Sequence, residues 1–117
     1  NLKKIVKIVH LEIRKKKNFF IKKNKNKKFV ILDIPLLLEN KINKRNDLLI
    51  FVYAKKSDIK KRLKKRTNYN PILLSKFRKL QLPLVYKKKR SDFIIKNNFK
   101  KKTLKKDIKR VLNEINK

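Results

Sequence analysis

Apolar positions recur every three or four residues at the start of the chain. Leu2, Ile5, Val6, Val9 and Ile13 share one helical face, and Phe20 extends it. Residues 22–28 hold only Lys and Asn and break the pattern. The next stretch, FVILDI at residues 29–34, is apolar at every position except Asp33 and shows no alternation. A run this short, bounded by charge, predicts a strand, and its continuous apolarity predicts burial on both faces, as in a parallel sheet covered by helices. LLIFVYA at residues 48–54 predicts a second such strand, and DFII at residues 92–95 a third.

Helical patterns fill the intervals. Ser57 is suited to cap a helix carrying Ile59 and Leu63, with Asp58 favourable in its first turn. Arg62 and Arg66 project from one face near that helix's end, and Asp58 lies four residues from Arg62, a spacing that allows a surface ion pair. Pro71 opens a further helix through Ile72, Leu73, Phe77 and Leu80, and Pro83 stops it. A basic run at residues 87–90 precedes the third strand. Thr103 is suited to cap a last helix, whose Leu104, Ile108, Val111, Leu112 and Ile115 form one stripe. The order is helix, strand, strand, two helices, strand, helix. It predicts an α/β layered fold, with no linker long enough to divide the 117 residues into two domains.

Composition narrows the chemistry. Lys and Arg number 39 against 8 acidic residues, a net charge of +31. Such a chain repels itself and attracts polyanions. The lysines are dispersed, however, and no zinc-finger spacing or RNA-binding aromatic pattern accompanies them. Lys, Asn, Ile and Phe share codons rich in A and T, so a base bias in the genome explains this look better than nucleic-acid binding does. Cysteine is absent, which removes disulfides and thiolate chemistry, and the single His leaves little room for a histidine-built metal site. No apolar stretch is long enough to cross a membrane and no secretory signal is visible, which points to the cytoplasm. Glycine is absent as well, and the chain begins with Asn1. A whole α/β domain ordinarily uses Gly where the backbone needs positive φ, so both features suggest the C-terminal part of a longer protein.

Asp33 is the first candidate for chemistry. It stands at the C-terminal end of its expected strand, the edge where open α/β sheets bind ligands. The position equally suits a residue that ends the strand and caps the next turn. His10, between Val9 and Leu11, suits structural hydrogen bonding better than catalysis.

Four stretches together carry a resemblance. They are IVH at residues 8–10, LDIPLLLEN at 32–40, RLKKR at 62–66 and QLPLVYKKKRSDFIIKNN at 81–98. In order and spacing they resemble the dephospho-CoA kinases, whose motifs run L-H-P, D-x-P-L-L-x-E, R-x-x-x-R, Q-x-P-x-x-x-K and D-x-x-x-D/N-N. Leu11 replaces the proline after the His, and Lys96 stands at the second acidic position of the last motif. The resemblance implies the C-terminal part of a P-loop NTPase-type three-layer fold, with a parallel sheet and a helical lid at about residues 66–90. It implies ATP-dependent phosphorylation of the ribose 3′-hydroxyl of dephospho-CoA, the last step of coenzyme A synthesis. ATP and dephospho-CoA are then the partners, and nucleic acid binds only nonspecifically through charge. The glycine-rich loop, and with it most of the Mg²⁺ site, would lie outside these residues, leaving them inactive alone.

The resemblance also implies roles. Asp33 and Arg78 would be catalytic, Asp33 through Mg²⁺-bound water or the substrate and Arg78 by closing over the transferred phosphoryl group. Arg66, Lys87 and Asn97 would bind nucleotide, Arg66 on the adenine or the phosphates and Asn97 at the adenine's border. His10 and Glu39 would lie on the substrate side, and no residue here would be a metal ligand. For Arg62 a surface ion pair is the simpler reading. Competing functions are another nucleoside or nucleotide kinase of the same fold, a basic nucleic-acid-binding protein, or the inactive product of a split or decayed gene.

Overall fold

The computed structural model describes residues 2–117. The elements in chain order are α1 (Leu2–Lys23), β1 (Ile50–Tyr53), α2 (Lys56–Lys64), α3 (Pro71–Leu80), α4 (Leu84–Arg90), β2 (Phe93–Lys96) and α5 (Lys101–Ile115). The chain divides into two compact units, Asn1–Lys44 and Arg45–Lys117.

In the first unit the amphipathic stretch forms α1 as expected. Asn24 ends it, its side-chain amide and backbone N–H both donating to the Phe20 carbonyl. Residues 29–34 do not form the expected strand. Their exposure still alternates, with Val30, Leu32 and Ile34 partly covered and Phe29, Ile31 and Asp33 exposed. That is the period of a strand, but a strand exists only where a neighbour completes its ladder, and no described residue pairs with this segment. The continuous apolarity therefore does not yield two-sided burial.

A turn at residues 35–41 follows. Ile42 N–H donates to the Leu37 carbonyl at 3.0 Å and Lys41 N–H to the Leu38 carbonyl at 3.2 Å. Lys41 itself has φ 51°. This is a Schellman closure, with Lys41 at the left-handed position that glycine ordinarily fills. Ile42, the next residue, is 2 % exposed and is the buried apolar anchor of the unit. Leu36 and Phe99 also take left-handed conformations, with φ 54° and 63°. So these residues do need positive φ, and the absence of Gly costs roughly 1–2 kcal/mol at each such position.

The second unit is built on a two-stranded parallel sheet. Ile50 pairs with Phe93, Phe51 with Ile94, Val52 with Ile95 and Tyr53 with Lys96. Parallel neighbours require a long crossover, which α2, α3 and α4 supply. The basic run at residues 87–90 lies inside α4, so the crossover holds three helices and not two. Asp92 extends the ladder by one rung. Its N–H donates to the Leu49 carbonyl at 2.8 Å, and its carboxylate accepts the Leu49 N–H at 2.7 Å.

α5 packs on β2 through the expected stripe, with Val111 2 % exposed and Ile95 8 %. Among the described residues no helix packs comparably on β1, so the sheet is not covered on both faces. Val52 stays 57 % exposed. Two expected caps are absent. Lys55 is the N-cap of α2 and Lys100 that of α5, neither with a side-chain bond, and Ser57 and Thr103 fall inside the helices. Pro71 does open α3, where Asn70 caps with Oδ1 accepting the Ile72 and Leu73 N–H groups at 3.1 Å.

The chain exposes 10752 Å². Even two separate compact bodies of these sizes would expose only about 8,200 Å². Large apolar side chains are among the exposed residues, notably Ile31, Val52, Ile72 and Val85.

Candidate functional site

β1 and β2 run parallel, so their carboxyl ends lie at the same edge of the sheet. The chain leaves β1 toward α2 and leaves β2 through a tight turn at residues 97–100. Asn97 N–H completes the ladder on the Tyr53 carbonyl at 2.7 Å. Its side-chain oxygen accepts the Phe99 N–H at 2.9 Å, and that of Asn98 accepts the Lys100 N–H at 3.0 Å. These bonds throw Phe99 into its left-handed conformation. The guanidinium of Arg62, from α2, lies over the Phe99 ring at 4.4 Å from its centroid.

A cation over an aromatic face is attracted by the ring's quadrupole. Among the described residues no ion pair joins Arg62 to Asp58, so the surface pairing expected from their spacing gives way to this contact. Arg66 sits in the bend beyond α2, which ends at Lys64, so it does not share a helical face with Arg62. Its N–H donates to the Leu63 carbonyl at 3.1 Å. Arg66 is exposed, and so is Arg78 on α3; neither has a carboxylate partner among the described residues. Lys87 is half-buried on α4, where its carbonyl accepts the Ser91 hydroxyl at 2.8 Å.

The first unit holds the remaining candidates. Asp33 borders an open cleft of about 400 Å³, lined from α1 by Ile13, Lys16, Phe19 and Phe20. The cleft is mainly apolar, with Asp33 its one carboxylate and Lys16 and Lys17 also lining it. His10 is half-buried on α1, and its Nδ1 is sheltered from water without a hydrogen-bond partner. Glu39 is half-buried in the turn at residues 35–41. Two basic residues of α1 bind that turn. Arg14 donates to the Asn40 carbonyl at 2.8 Å, and Lys17 to the Ile42 carbonyl at 2.6 Å. They are three residues apart on one helical face and satisfy the carbonyls that the turn leaves open. Lys17 is only 7 % exposed.

Sequence reasoning missed Arg14, Lys17 and Phe99 because each looks ordinary in so basic and apolar a chain. It also missed Asp107 and Arg110 on α5. The Asp107 carboxylate accepts the Lys96 N–H at 2.8 Å and bonds Arg110, while Arg110 donates to the Ile94 carbonyl at 2.8 Å. One signal was available: Asp107 is among only 8 acidic residues and stands three before an Arg. Among the described residues no three His, Cys, Asp or Glu side chains converge as metal ligands, and no helix is long and apolar enough to cross a membrane.

Comparison with known proteins adds a family. The family model described as dephospho-CoA kinase matches residues 1–103. The chain is similar to the dephospho-CoA kinase of Wolbachia pipientis wMel, 34 % identical over 99 % of this chain and 60 % of that protein. It is similar to the dephospho-CoA kinase of the Wolbachia of Brugia malayi, 31 % identical over 98 % of this chain and 60 % of the other. The enzyme of Bartonella quintana is 38 % identical over 80 % of this chain and 49 % of its own length. The chain thus spans about 60 % or less of these relatives.

Proposed function

We propose that this chain, which belongs to the dephospho-CoA kinase family, supplies the base-binding and lid side of an ATP-dependent kinase acting on the ribose 3′-hydroxyl of dephospho-CoA. The observation that carries this reading is the pairing of Arg62 with Phe99 beside Asn97, at the carboxyl edge of a parallel sheet. Open α/β sheets bind ligands at that edge. A planar guanidinium and an amide beside it suit a purine base.

The domain is then part of a P-loop kinase. Its lid spans about residues 66–90, which include α3 and α4. Neither helix packs extensively on another element, as a segment that must open and close requires. Arg66 and Arg78, exposed and without carboxylate partners among the described residues, bring permanent charge to the ATP phosphates, and Lys87 adds to it from α4. Asp33 is assigned to the acceptor side, which the apolar cleft beside it supports, and His10 and Glu39 belong to the same unit. Mg²⁺ in such kinases is held by one or two carboxylates together with substrate phosphates and water, so most of its ligands would lie outside these residues, and Asp33 would reach it only through a bound water.

Phosphoryl transfer also needs a glycine-rich loop around the β- and γ-phosphates, and these residues contain no Gly. The open edge of β1 offers a place for a further parallel strand bearing that loop. A coupled ATP assay with dephospho-CoA tests the reading. Residues 1–117 alone are expected to show no turnover, and addition of the remaining part of a relative, fused or as a separate chain, is expected to restore some. Robust turnover by residues 1–117 alone would refute the division of labour. A folded, complemented protein that phosphorylates other nucleosides and not dephospho-CoA would refute the substrate.

A further inference from the structure

Phe99 occupies a position that its backbone does not favour. Its φ of 63° is the left-handed region, where a side chain with a Cβ is strained and Gly is at ease. Its N–H is held by Asn97 and the following N–H by Asn98, so the turn fixes the ring's origin on both sides. The ring then lies against the Arg62 guanidinium at 4.4 Å. Arg62 is exposed, and a long exposed arginine otherwise samples many rotamers. The contact restrains the guanidinium against the ring, while Arg62 as a whole stays exposed.

We propose that Phe99 is a positioning residue for nucleotide binding: its ring holds the Arg62 guanidinium flat at the carboxyl edge of the sheet, so that the guanidinium's other face stacks on the purine base of ATP. This rests on the reading of that edge as the base site. The ring never touches the phosphates and has no part in the transfer itself. Its effect is on the preference for a base-bearing ligand. Arginine that is held in place loses less freedom when a base stacks on it, so affinity rises without a new contact to the ligand.

A basic chain binds any polyphosphate through charge, so the informative quantity is the ratio of affinities for ATP and for inorganic tripolyphosphate at one ionic strength. Titration calorimetry on the complemented kinase, residues 1–117 joined to the remaining part of a relative, gives it directly. Phe99→Leu and Phe99→Gly are expected to lower the ratio about two- to fivefold by weakening ATP alone. Phe99→Tyr, which keeps an aromatic face, is expected to retain it. Phe99→Gly should melt no lower than the parent, since it relieves the left-handed strain, so lost selectivity without lost stability separates positioning from a merely structural role. If Arg62→Ala abolishes the ATP preference and Phe99→Leu leaves it intact, Phe99 does not position Arg62 and the proposal falls while the base site stands. If the parent chain itself binds ATP no better than tripolyphosphate, the base site falls, and the proposal with it.

Discussion

The carboxylate of Asp107 and the guanidinium of Arg110, one turn apart on α5 and 2.8 Å from each other, together cap the outer edge of β2. Asp107 takes the Lys96 N–H and Arg110 gives to the Ile94 carbonyl, both at 2.8 Å. In the parallel ladder Phe93 and Asn97 turn their N–H groups toward β1. Ile94 and Lys96 therefore face away from it, and their backbone groups need partners. The two side chains complete the bonding that a third strand would otherwise supply, and they blunt an edge on which other chains would pair.

The first prediction concerns acid. The Lys96 N–H above all, and then the Arg110 guanidinium, hold the Asp107 carboxyl below its ordinary pKa. A depressed carboxyl stabilises the fold fully above its unfolded value of about 3.9 and loses that contribution as pH falls through the lower, folded value. Asp107→Asn should therefore melt at a lower temperature than the parent near neutral pH, with the difference shrinking as pH falls through the folded value. Thermal melts followed by circular dichroism from neutral pH into acid check this. A difference that stays constant across the range would mean that the charge of Asp107 plays no part.

The second prediction separates the arginines. In a complemented kinase, Arg66→Ala and Arg78→Ala should each lower kcat/KM for ATP by a charge-assisted contact, roughly 1.5–3 kcal/mol, or tenfold and more. Arg110→Ala should lower the melting temperature instead, because it leaves the Ile94 carbonyl without its donor, while kcat/KM of the folded protein stays near the parent's. Steady-state kinetics and melts on the same three variants give both readouts. Kinetic losses as large in Arg110→Ala as in the lid variants would remove the distinction.

The third prediction uses the missing glycine. Lys41 closes the turn at residues 35–41 from the left-handed region, where Gly carries no Cβ penalty. Lys41→Gly should stabilise the first unit by about 1 kcal/mol, the steric relief exceeding the added freedom of the unfolded chain. Lys17→Met should act oppositely and cost about 1–3 kcal/mol, since the Ile42 carbonyl that Lys17 satisfies would be left unpaired. Urea unfolding of both variants checks the signs, and a Lys41→Gly variant less stable than the parent would rule out the strain.

Much was legible without coordinates. Helical periodicity placed α1 and α5, because a stripe repeating every three or four residues has one way to face a core. Pro71 marked the start of α3, since its fixed φ acts on its own residue and immediate neighbours. The apolar runs at residues 48–54 and 92–95 located β1 and β2, and motif order along the chain agreed with the family model over residues 1–103. These are local or linear properties, and a sequence holds them completely.

Tertiary structure decided the rest. Residues 29–34 have the composition of a strand but no ladder, because pairing is supplied by a neighbour and not by the segment. Ser57 and Thr103 have capping side chains but lie past the true helix starts at Lys56 and Lys101. Arg62 and Asp58 have the spacing of an ion pair, yet the guanidinium goes to Phe99, thirty-seven residues away, because the turn after β2 brings that ring to α2. Asp107 and Arg110 stand three apart in the sequence with nothing to mark their role, and they act as an edge strand's partners. In each case a side chain's bonding capacity was visible in the sequence, while its partner depended on which distant backbone the fold placed within reach.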